Sequence, residues 1–149
     1  MKKLLCVWGA ADYGKSYSII EFDSLLNKNF GSNIQTIHSF GNLPYDIQRI
    51  YKIGNFTIGI ESQGDPNSRQ KASLTLFGKN NCDIIICASR TKGDTVANVD
   101  NFCHRHGYDC FWLSTIYSPK TYKQSGTILN QRNGQVLFDI VSDFINGKY

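Results

Sequence analysis

The chain has 149 residues, 41% of them hydrophobic and 13% aromatic, enough to bury one sizeable core and too few for two ordinary domains. Charged residues make up 19%, and recurrent apolar runs exclude the composition of a disordered chain. The formal net charge of +4 suits a polyanionic small ligand, but the basic residues are too scattered for a nucleic-acid-binding surface.

Lys3 to Trp8 is a short apolar run closed by Gly9, too short for the core of a signal peptide and followed by a glycine loop instead of a cleavage site. No later stretch approaches the roughly 18 apolar residues of a membrane span, so a cytoplasmic protein with no membrane partner is expected. Ile19, Phe22 and Leu26 then recur at helical spacing, and the opening reads as strand, loop and helix. Asn33 to Phe40 is a second candidate strand with imperfect alternation. Ile47 to Ile53 and Phe56 to Glu61 flank Gly54-Asn55 and predict a β-hairpin.

Pro66 and Gly78 bracket a predicted helix over Asn67 to Phe77. Cys82 to Ala88 is nearly continuous apolar sequence, the pattern of a central parallel strand covered on both faces. Val96, Val99, Phe102, Cys103 and His106 fit a helix, Tyr108 to Ile116 a strand, and Val136 to Ile145 the clearest amphipathic helix. Between these last two, Tyr117 to Asn133 lacks periodicity and is expected to be a long loop serving as a lid or binding loop. Five cysteines, an odd number without secretory context, argue for free thiols. The alternation of strands and helices predicts one α/β domain, residues 1–149, with three layers and a mostly parallel sheet of about five strands flanked by helices.

Gly9-Ala10-Ala11-Asp12-Tyr13-Gly14-Lys15-Ser16 satisfies G-x-x-x-x-G-K-[ST]. In this pattern successive backbone N–H groups cradle phosphate oxygens, and the glycines permit close approach of the ligand. The lysine neutralises phosphate charge, the serine hydroxyl holds magnesium, and the following helix adds its positive end. Gly9 to Ser16 together with Tyr17 are the expected nucleotide-binding residues. Asp12 is unusual in such a cradle, because its carboxylate must turn outward.

These eight residues resemble the P-loop NTPase superfamily, and the likeness extends plausibly over the α/β domain. It implies a nucleoside triphosphate, ATP or GTP, and Mg2+. It also implies an acidic metal partner at the end of another strand. Glu61, ending Phe56 to Glu61, is the favoured candidate beside Ser16, while Asp65 is an alternative that is also placed to cap the next helix. Ser89 to Asp94 follow the next strand, so Arg90 and Lys92 are expected at the carboxyl edge of the sheet. There Arg90, with Lys15, would stabilise a transferring phosphoryl group; an ordinary basic loop capped by Asp94 or Thr95 is the competing reading.

Together with Ile60 to Asp65 and Cys82 to Thr95, the loop is similar to small bacterial P-loop proteins, a likeness that names no substrate. Thr91-Lys92-Gly93-Asp94 and Glu61-Ser62-Gln63-Gly64 also resemble two motifs of small GTPases, but too little chain separates them for the intervening strand and helix of that family. Cys103-His104-Arg105-His106, with Cys110, lacks paired zinc-ligand spacing. The expected activities are Mg-dependent hydrolysis or phosphoryl transfer to a small-molecule acceptor. The alternatives are a non-catalytic switch acting on a protein partner, behind it a degenerate small GTPase, and last a nucleic-acid contact through Tyr117 to Arg132.

Overall fold

The computed structural model describes residues 1–42, 45–119 and 122–149, with backbone alone for 122–126. In chain order it contains β1 (Lys3–Trp8), α1 (Lys15–Phe30), a 3-10 turn (Gly31–Asn33), β2 (Ile34–Phe40), β3 (Gln48–Ile53) and β4 (Phe56–Glu61). These are followed by α2 (Gln70–Lys79), β5 (Ile84–Ser89), α3 (Asp94–His106), β6 (Asp109–Ser114) and α4 (Tyr122–Ile145).

Among the described residues the six strands form one sheet in the order β2-β3-β4-β5-β1-β6. β4, β5, β1 and β6 are parallel neighbours, whereas β3 runs antiparallel to both β2 and β4. A two-residue turn can join only antiparallel strands, so Gly54-Asn55 dictates the direction of β3. The expectation of about five strands is one short. β2 is an edge strand with five of its seven residues exposed, and without a buried face it has no reason to alternate.

Apolar residues from both sheet faces build two cores. Val7, Ile58, Ile60 and Ile86 pack with Ile19, Phe22 and Leu26 of α1 and Leu137, Val141 and Phe144 of α4. On the other face Leu4, Cys6, Ile85 and Cys87 meet Leu74 and Phe77 of α2 and Val99, Phe102 and Cys103 of α3. The predicted three layers follow from this division. β5, lying between β1 and β4, is buried along its whole length, as its continuous apolar sequence demands.

Two boundaries differ from the sequence reading. α2 begins at Gln70 and runs through Gly78 to Lys79, because residues 65–69 form a turn in which the Ser68 amide donates to Asp65 O at 3.3 Å. Tyr117 to Asn133 is not one long loop: α4 starts at Tyr122. Asn130 and Asn133 on this helix are buried, and packing against the rest of the fold supplies what its polar sequence lacks in local periodicity. Residues 120–121 lie outside the described residues.

Candidate functional site

The four parallel strands deliver Trp8, Ser89, Ser114 and Glu61 to one edge of the sheet, and the loop Gly9 to Gly14 rises from its middle. The Gly9 amide donates to Ser89 O at 3.1 Å, tying the start of the loop to β5. Ala10, Ala11, Asp12 and Tyr13 are exposed, and Asp12 adopts φ 61°, a left-handed angle that aspartate tolerates better than most side chains. Gly14, at φ 74°, then turns the chain into α1, and no side chain caps that helix.

Lys15 is only 6% exposed. Its ammonium donates to Gly9 O at 2.9 Å and Ala10 O at 2.6 Å, folding the side chain back over its own loop. Burial lowers its pKa below 10.5; the Asp65 and Asp12 carboxylates oppose the shift, and Arg90 adds to it. The Ser16 hydroxyl donates to Ser62 O at 2.8 Å, linking the head of α1 to the chain just beyond β4.

A cleft of about 460 Å³ opens beside this loop. Asp12 to Tyr17 form one wall, Gly64 and Asp65 another, and Tyr117 and Pro119 a third. Gly64 is required by close approach, since a Cβ there would lie 2.5 Å from the Ala88 carbonyl carbon. The Tyr13 and Tyr117 rings stack with centroids 4.0 Å apart and planes 21° from parallel. Thr115 Oγ1 donates to Tyr13 O at 2.6 Å. Asn133 of α4 brackets the Ile116 peptide, accepting from its N–H at 2.8 Å and donating to its carbonyl at 3.1 Å.

Arg90 emerges at this edge, as its position after β5 implied, and its Nε donates to Asp65 Oδ1 at 2.8 Å. With Arg90 33% and Asp65 66% exposed, this pair is weak and easily opened. Asp65 therefore does not cap α2, which has no side-chain cap. Neither Asp94 nor Thr95 caps α3; its N-cap is Gly93, and Thr95 Oγ1 instead accepts from the Arg90 amide at 2.9 Å. Lys92 is exposed.

Glu61 is placed differently. β5 separates its strand from β1, yet Ser16 at the head of α1 reaches the residue after Glu61, Ser62, at 2.8 Å. Its fully buried carboxylate accepts from Arg69 Nε at 2.8 Å, the Gln63 amide at 2.8 Å, Gln48 Nε2 at 3.5 Å and the Ser73 hydroxyl. These partners tie β4 to β3 and α2, and the carboxylate does not line the cleft. Of the expected joint metal ligands Ser16 and Glu61, Ser16 donates to the carbonyl of Ser62, the residue after Glu61. The acidic side chain sharing the cleft with Ser16 is Asp65.

Among the described residues no group of three or more His, Cys, Asp or Glu side chains is arranged to hold a metal, Cys103-His104-Arg105-His106 included. His106 packs against the Phe102 ring, centroids 4.5 Å apart. Among the described residues no helix is long and apolar enough to cross a membrane. Tyr117 and Asn133 bound the segment expected as a lid or binding loop, and of that segment Tyr117 and Pro119 line the cleft, but its polar sequence did not single these residues out. Comparison of the chain with protein-family models, curated proteins and solved structures finds no match.

Proposed function

We propose that the cleft beside Gly9 to Tyr17 binds a nucleoside triphosphate, ATP or GTP. The observation that carries this reading is Lys15: a buried ammonium resting on two carbonyls of its own loop, at the head of an uncapped helix, beside an open cleft. Such a group is a poor structural element, because burial disfavours its charge, and a good anion receptor. Incoming phosphate oxygens would take its protons and those of the first-turn amides together. Magnesium, when bound, would neutralise phosphate charge. The residues that fit it are Ser16, by turning its hydroxyl from Ser62 O, and Asp65, by leaving Arg90.

Arg90, once released, is free to face a phosphoryl group alongside Lys15, which supports hydrolysis or transfer to a small-molecule acceptor. One observation favours a second reading, a nucleotide-dependent switch without turnover. Glu61 is committed to Arg69 and Ser73, leaving the cleft without a second carboxylate on that strand. Ser16 also reaches, through Ser62, the Asp46 carboxylate and the Ile47 amide ahead of β3, so that movement of its hydroxyl would be felt there.

Titration calorimetry with Mg-ATP and Mg-GTP tests binding, and phosphate release tests turnover. Micromolar binding that is abolished in Lys15→Ala is expected; equal binding by that variant would overturn the site. Binding without phosphate release would select the switch.

A further inference from the structure

The cleft has two chemically different ends. Gly14, Lys15 and Ser16 present amides, an ammonium and a hydroxyl suited to anionic oxygens, while Tyr13, Tyr17 and Tyr117 present aromatic surface. Tyr13 immediately precedes Gly14, so this surface begins one residue, about 3.8 Å of chain, from the anion-binding amides. A ligand filling both ends carries an anionic group and a planar ring within the span of a nucleotide.

The ring-bearing segments are held in place before any ligand arrives. The carbonyl of Tyr13 is fixed by Thr115, and the peptide before Tyr117 is clamped on both sides by Asn133. Tyr13 and Tyr117 stack nearly parallel, and Tyr13 keeps 39% of its surface open to solvent. Preorganised aromatic faces of this kind bind bases with little regard to their identity, because every base has a π-face. Beside the rings the described lining carries the Ser16 hydroxyl and the Asp12 and Asp65 carboxylates.

We infer that the Tyr13–Tyr117 pair is the base-binding end of the cleft and selects nucleotides by stacking area. This rests on the nucleotide-binding reading above. Purines are favoured over pyrimidines because they cover more ring surface, and adenine and guanine are accepted alike.

Calorimetry with the magnesium complexes of ATP, GTP, CTP and inorganic tripolyphosphate tests it on the intact chain. ATP and GTP should bind within about threefold of each other, CTP about fivefold more weakly, and tripolyphosphate at least about tenfold more weakly than ATP. Tyr117→Ala should bring ATP down toward tripolyphosphate, whereas a merely structural role for Tyr117 would weaken both ligands alike. Tyr117→Phe, which keeps the ring, should retain ATP. Wild-type protein that binds tripolyphosphate as tightly as ATP, or that separates ATP from GTP by more than about thirtyfold, would overturn the stacking proposal and leave the phosphate site standing. Failure of all four ligands to bind would instead overturn the nucleotide reading itself. The wild-type series decides the matter even if a tyrosine variant fails to fold.

Discussion

Lys15 and Glu61 are buried charges of opposite sign near one edge of the same sheet, and their surroundings differ in kind. Glu61 is saturated: a guanidinium, a hydroxyl, a side-chain amide and a backbone N–H converge on its two oxygens. Among the described residues the Lys15 ammonium donates to two neutral carbonyls of its own loop, with an open cleft beside it. A buried charge whose partners come from several elements holds those elements together. One whose partners lie in a single loop ties no other element to it.

The sharpest way to break this contrast is Glu61→Ala, which leaves Arg69 and Ser73 without their acceptor. It should destabilise the fold by about 3 kcal/mol in urea titrations. A cost below about 1 kcal/mol would mean that the network around Glu61 is not structural. Lys15→Met should behave oppositely, lowering triphosphate affinity about a hundredfold by calorimetry while its urea midpoint stays level or rises. A marked fall in that midpoint would place Lys15 in the same class as Glu61.

Asp23 on α1 is an intermediate case, buried with the neutral Tyr51 hydroxyl donating to it at 2.7 Å. Burial raises its pKa above the ordinary 3.8, against the opposing hydrogen bond from Tyr51. The folded protein therefore holds a proton that the unfolded chain has released, and stability falls as pH rises from 3.8 through the folded value. Asp23→Asn should be more stable than wild type at pH 7, by about 1 kcal/mol or less, with the advantage shrinking toward pH 4. Urea titrations across that range check it, and an advantage independent of pH would contradict it. The smallest effect belongs to Arg90→Ala, whose exposed pair with Asp65 should change stability by no more than about 0.5 kcal/mol. If Arg90 serves phosphoryl transfer, phosphate release should nevertheless fall at least about tenfold in that variant.

What the sequence by itself determined is what near neighbours decide. The boundaries of β1 match the apolar run Lys3 to Trp8. The turn into α1 follows from Gly14, and the β3–β4 hairpin follows from Gly54-Asn55. In each the deciding backbone angles and apolar spacing lie within a few residues of one another. The buried length of β5 was legible for the same reason.

Tertiary structure decided everything that depends on lateral order. Nothing within Phe56 to Glu61 reports that β5 inserts between β4 and β1, that Glu61 meets Arg69, or that Asp65 lines the cleft with Ser16. Nothing local at Tyr117 reports a Tyr13 ring 104 positions earlier, nor at Asn133 the peptide of Ile116 that it clamps. The start of α4 at Tyr122 escaped detection because its first turns are polar, and packing stabilises it where periodicity gives no sign. The segment Gly9 to Gly14 was therefore readable as a loop, while the cleft beside it is formed by residues far apart in the chain.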